Sequence, residues 1–152
     1  MELAPALEEA QMDDPGRVPD AGEVGLRAAG QAVVTELFAR LDRRDFEGAV
    51  ELYAEDAVLE GAKGKTQIKE TMLRSVTSNA GQATSHTVTN IRAAVTSHGE
   101  IIVNYTVVAY RLGGPGPYSA HAIIDQQQTL RVAADGNLRI REHRVEGYDL
   151  SG

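Results

Sequence analysis

Residues 41–58 read LDRRDFEGAVELYAEDAV, and this stretch predicts where two helices and a strand meet. A long helix should end near Arg43–Arg44, because the apolar residues before that point recur at helical spacing. They are Leu26, Ala29, Val33, Leu37 and Leu41. Asp45 can then cap a second, shorter helix, whose inward side chains are Phe46, Val50 and Tyr53. A short strand is expected over Asp56–Glu60, where Gly61 ends it.

The sequence on the C-terminal side of this stretch changes from a helical to a β pattern. A third helix is built on Ile68, Met72 and Val76, and after Gly81 the segments are long and rich in Val, Ile and Thr. The predicted strands are Thr84–Ser97, Ile101–Arg111, Ser119–Ala133 and Leu138–Tyr148. Three helices followed by an antiparallel meander predict an α+β fold, with the helices packed against one sheet.

Residues 1–20 differ from the rest of the chain. They carry Pro5, Pro15 and Pro19 among acidic residues and offer little that could be buried. We therefore expect a disordered or loosely ordered tail over 1–20 and a single domain over 21–152.

The composition argues against several classes of partner. With 22 acidic and 15 basic residues and no basic cluster, nucleic acid is not an expected partner. No apolar run approaches the roughly 18 residues of a membrane helix, and no secretory signal is evident, so a cytoplasmic protein without a membrane partner is expected. The absence of cysteine excludes disulfides and thiolate metal sites.

Two histidines and an aspartate are the side chains most suited to chemistry. Histidine takes and gives protons near neutral pH, and a neighbouring carboxylate fixes its tautomer, so His86, His121 and Asp42 could form a proton-transfer site. Taken singly, the simpler interpretation is that His86 is a partly exposed strand residue and Asp42 a solvated residue at a helix end.

Residues 41–58 resemble the opening of nuclear transport factor 2-like domains, and especially of their SnoaL-like branch. The phrase SHTVTN at 85–90 and the segment RIREHRV at 139–145 are similar to the same branch, and the order of elements agrees over about residues 24–150. The resemblance implies a cone-shaped fold, in which three helices and a curved, mainly antiparallel sheet enclose a pocket open at one end. It also implies a homodimer on the outer sheet face, which apolar residues on both faces of Ile101–Arg111 favour as well.

Within this branch the pattern is most similar to scytalone dehydratase-like members, and the positions that match their catalytic residues are Asp42, His86 and His121. The resemblance implies that Asp42 orients His86, that His86 moves the proton, and that His121 hydrogen-bonds a developing oxyanion. Two tyrosines that hold water in those enzymes would fall at Leu41 and Gly61, where this chain departs from the pattern. Two histidines and an aspartate could also form a metal triad in principle, but these members use them without metal, so no metal or cofactor is expected.

Strand alternation adds candidate ligand contacts. Asn90 shares a face with His86, and Asp125 shares one with His121, while tyrosines are typical amphipathic wall residues. The candidate ligand-binding residues are Asn90, Tyr53, Tyr105 and Asp125. Gln126 and Gln128 are expected on a solvated or dimer-facing side, His98 and His143 on the surface, and Gly113–Pro117 in a flexible hairpin at the pocket mouth.

The leading hypothesis is a cofactor-independent lyase, isomerase or cyclase. It would carry out dehydration, isomerisation or aldol-type cyclisation on a small apolar carbonyl compound, such as a polyketide-derived intermediate. The alternative is a non-catalytic small-ligand-binding or dimerisation module of the same fold, because a fold alone does not determine function. The two hypotheses differ in whether Asp42, His86 and His121 converge in one cavity.

Overall fold

The computed structural model describes residues 16–78, 83–112 and 120–149. Most of the predicted tail and all of the predicted hairpin at 113–117 lie outside these ranges. The described residues form three helices and a six-stranded sheet, which confirms the α+β prediction. Among these residues, none of the helices is both long and apolar enough to cross a membrane.

The three helices are α1 (Ala21–Asp42), α2 (Phe46–Glu51) and α3 (Gly64–Ser78). Helix α1 begins where the Asp20 side chain accepts a hydrogen bond from the backbone N–H of Glu23. Helix α2 begins in the same way, because Asp45 accepts from the backbone N–H of Gly48 at 2.9 Å, as residues 41–58 predicted. The second helix is short, so Tyr53 lies beyond it, at the start of a strand.

The strands are β1 (Tyr53–Leu59), β2 (Ala62–Lys63), β3 (Thr84–Val95), β4 (Ile101–Arg111), β5 (Ala120–Val132) and β6 (Leu138–Asp149). They lie in the order β2-β1-β6-β5-β4-β3. Strands β3 to β6 form the predicted antiparallel meander, whereas β1 pairs with β6 in parallel. The sheet is therefore mainly antiparallel.

The core lies between the helices and one face of this sheet. Alternate residues of β4 are buried against the apolar stripe of α1, in which Val34 and Leu37 are fully buried. The helix approaches the sheet closely at Gly30, where an added Cβ would lie 2.8 Å from the Cγ2 of Ile101. Asp42 lies at the C-terminal end of the same helix.

Irregular pairing at three places within the antiparallel meander changes which side chains face the core, and the pairing of β1 with β6 is irregular as well. In β5, Ala122 pairs with Ala109 but Ala120 pairs with Tyr110, so His121 is an extra residue in a β-bulge. In β3, Thr89 pairs with Thr106 and Arg92 pairs with Asn104, so Asn90 and Ile91 together oppose one residue of β4. Asn90 has a φ of 52°. Asparagine tolerates this left-handed conformation better than most residues do.

The third irregularity lies in β6. Leu130 pairs with Ile140 and Thr129 pairs with Glu142, so Arg141 is the extra residue. A single extra residue reverses the alternation of a strand, and His143 therefore faces the same side as Ile140.

Candidate active site

A cavity of about 410 Å³ lies between the helices and the sheet. Most of its wall is apolar, formed by Phe38, Leu41, Phe46, Leu59, Met72, Ala109, Ile124 and Val145. The polar side chains in the wall are Arg44, Tyr53, Glu60, Thr71, Ser75, Thr84, His86, His121, Gln126 and His143. A wall that is apolar over most of its surface and also carries polar groups is typical of sites for small organic ligands.

Asp42 and His86 form a pair that joins the end of α1 to β3. The Nδ1 of His86 lies 2.5 Å from Asp42 Oδ1, and the backbone N–H of His86 donates to Asp42 Oδ2 at 2.9 Å. The carboxylate therefore receives hydrogen bonds on both of its oxygens and holds the imidazole by its Nδ1 side. In a neutral ring this leaves the lone pair on Nε2, the nitrogen that can accept a proton from a ligand.

Phe38 fixes the imidazole from a second direction. Its ring centroid lies 5.3 Å from that of His86, in a tilted arrangement. The side chains of His86 and Asp42 keep exposed fractions of 19% and 26%, so the pair is screened from bulk water without being sealed from it.

His121 reaches the same cavity from β5. Period-two alternation would place it on the face of Asp125, but the bulge turns it into the cavity beside Ile124. The structure thus brings His86 and His121 into one cavity wall, with Asp42 hydrogen-bonded to His86.

A second polar cluster lies in and beneath the wall, and the sequence analysis did not find it. The Tyr53 hydroxyl lies 2.8 Å from His143 Nδ1, and His143 Nε2 lies 2.7 Å from Gln126 Oε1. The Tyr105 hydroxyl donates to Gln126 Oε1 at 2.8 Å and accepts from Gln128 Nε2 at 2.7 Å. We call these five residues the tyrosine–histidine cluster.

Burial of this cluster controls its protonation. Loss of water around His143 lowers its pKa from 6.5 to about 3, so the imidazole is neutral at physiological pH. Burial likewise raises the pKa of Tyr53 and of Tyr105, and both remain phenols. Although buried, these groups are hydrogen-bonded to one another.

Three sequence expectations are wrong at this cluster. His143 was expected on the surface but is buried, because the bulge at Arg141 reverses the alternation of β6. Gln126 and Gln128 were expected on a solvated or dimer-facing side, yet both are buried on the core face. Their spacing from Leu130 is a signal that could have placed them, since residues two apart in a strand share a face.

The predicted ligand contacts are divided between two regions. Tyr53 lines the cavity, and Tyr105 is tied to the wall residues Gln126 and His143. Asn90 and Asp125 are exposed and do not line the cavity. Asn90 lies in the bulge of β3, and the Asp125 carboxylate accepts from Thr106 Oγ1 at 2.7 Å, on the opposite side of the sheet from Gln126.

Within the ranges that the structure describes, no group of three or more His, Cys, Asp and Glu side chains is placed to hold a metal ion.

The two residues that stand where the similar enzymes have water-holding tyrosines lie in different surroundings. Leu41 lines the cavity, and Gly61 is exposed.

Solved structures share this fold at low sequence identity. Aln2 from a Streptomyces species is 16% identical, with a TM-score of 0.75 over 86% of this chain and 94% of that one. A Catenulispora acidiphila protein in complex with S-DNPA is 18% identical, with a TM-score of 0.71 over 82% and 95% of the two chains. A candidate scytalone dehydratase from Novosphingobium aromaticivorans is 22% identical, with a TM-score of 0.63 over 85% and 90%.

Comparisons of sequence give a family but no characterised relative. A search of curated proteins found no match. The model of the SnoaL-like domain matches residues 34–143, which span the end of α1, the cavity wall and nearly all of the sheet. Since this match covers well over half of the chain, the protein belongs to the SnoaL-like domain family.

Proposed function

We propose that the protein is an enzyme that uses acid–base chemistry, without a cofactor, on a small apolar carbonyl compound such as a polyketide-derived intermediate. The observation that carries this proposal is the His86–Asp42 pair in the wall of an apolar cavity, with His121 in the same wall. A carboxylate that holds one imidazole nitrogen orients the other and stabilises the imidazolium once it forms.

The first step would be removal of a proton from the carbon next to the ligand carbonyl. His86 Nε2 takes the proton, and the C–H electron pair forms the C=C bond of an enolate. His121 donates a hydrogen bond to the enolate oxygen, on which negative charge develops. Asp42 balances the charge of the His86 imidazolium.

The fate of the enolate distinguishes the three reactions. In a β,γ-unsaturated compound, return of the proton to the γ-carbon moves the double bond and isomerises the compound. Transfer of the proton to a β-hydroxyl group, as the C–O bond breaks and the enolate electrons form a C=C bond, releases water. Attack of the enolate carbon on a second carbonyl of the same molecule closes a ring, and the alkoxide that forms takes the proton from His86. The neighbour assigned as a candidate scytalone dehydratase supports dehydration, and the neighbour that holds S-DNPA supports a small-ligand cavity.

The missing tyrosine positions bear on how a leaving hydroxyl would be handled. Leu41 brings no hydroxyl into the cavity, and Gly61 lies on the surface. The cavity hydroxyls come instead from Tyr53 and from Thr71, Ser75 and Thr84. Handling of water or a leaving group in this chain would therefore depend on a different set of side chains.

Proton abstraction can be tested without the natural substrate. The wild-type protein should accelerate deuterium exchange at the α-carbon of simple apolar ketones such as 2-tetralone in D₂O, as followed by NMR. His86→Ala should lower the accelerated rate about a hundredfold or more, and His121→Ala should lower it by a comparable factor. His98→Ala is the matched control, because His98 is exposed in the turn between β3 and β4.

Calorimetry on the same ketones separates catalysis from binding. Ketones that bind in the cavity but exchange no faster than in buffer would contradict the proposal. That result would favour a non-catalytic ligand-binding module.

A further inference from the structure

The hydrogen atoms of the tyrosine–histidine cluster can be assigned from its donors and acceptors. An amide oxygen only accepts, so the contact between His143 Nε2 and Gln126 Oε1 at 2.7 Å places the imidazole hydrogen on Nε2. A neutral imidazole carries one such hydrogen, and Nδ1 therefore presents a lone pair. The low pKa of His143, about 3, agrees with a neutral ring.

This assignment fixes the hydroxyl of Tyr53. Because His143 Nδ1 can only accept, the hydrogen bond of 2.8 Å between the two residues uses the single hydrogen of the Tyr53 phenol. Among the described residues, none donates a hydrogen bond to Tyr53 in return. Because Tyr53 lines the cavity, a ligand that reaches its hydroxyl meets only oxygen lone pairs.

Tyr105 and the two glutamines of the cluster support the same direction for the hydrogen bond, from the Tyr53 hydroxyl to His143. Tyr105 donates its own hydrogen to Gln126 Oε1, the same atom that accepts from His143, and it receives a hydrogen bond from Gln128. Its hydroxyl oxygen lies 3.2 Å from His143 Nε2 and is a second acceptor for the imidazole hydrogen. Two donors on one amide oxygen hold Gln126 in its orientation, and that orientation keeps the hydrogen of His143 on Nε2.

Tyr53 lines the cavity, so the acceptor character of its hydroxyl bears on which ligands bind. Tyr53 and His143 line the cavity and are 1% and 5% exposed, whereas the His86 side chain is 19% exposed. Phe38 contacts the ring of His86 at 5.3 Å and that of Tyr105 at 5.9 Å, so one aromatic ring separates the two polar sites. The cavity wall thus holds a proton-transfer group that keeps some exposure and a hydrogen-bond acceptor that is buried.

We propose that Tyr53, held by His143, is a specificity-determining acceptor that selects ligands carrying a hydrogen-bond donor, such as a hydroxyl or phenol group. The inference rests on the proposed function in one respect, namely that the donor end is buried while the reacting carbonyl faces His86. His143 is the positioning residue, because it takes up the hydrogen that Tyr53 would otherwise offer to a ligand.

Two probes of similar shape test the acceptor. 2-Naphthol carries a donor, and 2-methoxynaphthalene carries only an acceptor. In calorimetric titrations, Tyr53→Phe should weaken binding of 2-naphthol by about three- to tenfold and change binding of 2-methoxynaphthalene by less than about twofold. Thr106→Val, which removes a hydroxyl on the outer face of the sheet, should leave the ratio of the two affinities unchanged.

The positioning role of His143 has a distinct signature. His143→Phe frees the Tyr53 hydrogen, so 2-methoxynaphthalene should gain affinity relative to 2-naphthol, which simple loss of packing would not produce. The nitrogen NMR spectrum of the wild-type protein gives an answer that does not require the variant to fold. It should show His143 as the neutral tautomer with hydrogen on Nε2 from pH 5 to 8.

The inference would be overturned by either of two results: equal effects of Tyr53→Phe on both probes, or a His143 hydrogen on Nδ1. His86→Ala separates this inference from the proposed function. That variant should lose the ketone exchange reaction but keep the affinity ratio of the wild-type protein. A wild-type protein that accelerates ketone exchange but does not prefer 2-naphthol to 2-methoxynaphthalene would leave the proposed function standing and refute the acceptor role of Tyr53.

Discussion

At the scale of single residues, the four histidines have different surroundings and therefore different uses. His86 is held by a carboxylate, His121 lies in a bulge at the cavity wall, and His98 is exposed. His143 is buried, and its side-chain hydrogen-bond partners carry no charge. Burial lowers the pKa of His143 from 6.5 to about 3, which makes this residue unsuited to proton transfer near neutral pH.

Burial of His143 predicts a loss of stability in acid. Its pKa is 6.5 in its unperturbed form and about 3 in the folded protein, so between these values the unfolded chain binds the extra proton. The free energy of unfolding should therefore fall as the pH falls from 6.5 towards 3, with a contribution of up to about 1.4 kcal/mol per pH unit. Urea unfolding at pH 6.5, 5.5 and 4.5 measures this slope.

His143→Phe should remove that contribution, and His98→Phe, at an exposed site, should keep it. The same acid slope in the wild-type protein and in folded His143→Phe would show that His143 is not the group responsible.

At the scale of elements, the sequence patterns predicted the three helices, the cap at Asp45 and the meander, because helical spacing, capping residues and β-rich composition are local signals. What they could not predict is the facing of side chains beyond each bulge. A bulge depends on pairing with another strand, and neither His121 nor Arg141 carries a local mark such as glycine. Consequently the expected faces of Asn90 and Asp125 and the expected surface position of His143 were wrong, although the four strands of the meander lie close to their predicted bounds.

The packing of α1 on β4 gives a prediction at this scale. Gly25 and Gly30 lie in the same helix, but an added Cβ meets nothing within 4 Å at Gly25 and lies 2.8 Å from Ile101 at Gly30. Gly25→Ala should stabilise the protein by up to about 1 kcal/mol through helix propensity. Gly30→Ala should destabilise it by about 1–3 kcal/mol, because α1 must move away from the sheet.

Thermal or urea unfolding of the two variants provides the comparison. Equal stabilisation by both alanines would contradict the close approach of α1 to the sheet. Because α1 carries Asp42 at its end, Gly30→Ala should also slow the exchange reaction more than Gly25→Ala does.

At the scale of the whole molecule, the sheet has one face in the core and another that the helices do not cover. The uncovered face carries Ile102 and Val108, both half-buried, and Ile123, which is 39% exposed. Leaving apolar side chains on an open sheet face in water is unfavourable, and pairing of two copies through that face would cover them. We therefore propose a homodimer through the outer sheet face.

Sedimentation at micromolar concentration should show a dimer. Ile123→Lys should shift it towards monomer, because the new charge would be buried at the interface. Leu73→Lys replaces a residue on α3 that is 44% exposed, and it should leave the dimer intact. A wild-type protein that sediments only as a monomer would refute the dimer.

The central claim is that Asp42 and His86 act as one unit on a ligand in the cavity, and a double-mutant cycle on the exchange of 2-tetralone tests it most directly. Residues that act through one another show effects that are not additive. The account predicts that Asp42→Asn slows exchange in the wild-type background and has no further effect once His86→Ala is present. Asp125→Asn changes an exposed aspartate, and it should leave the exchange rate unchanged both in the wild-type background and together with His86→Ala. The account would be contradicted if the effects of Asp42→Asn and His86→Ala on the exchange rate multiplied in the double variant. It would also be contradicted if the wild-type protein exchanged 2-tetralone no faster than buffer does.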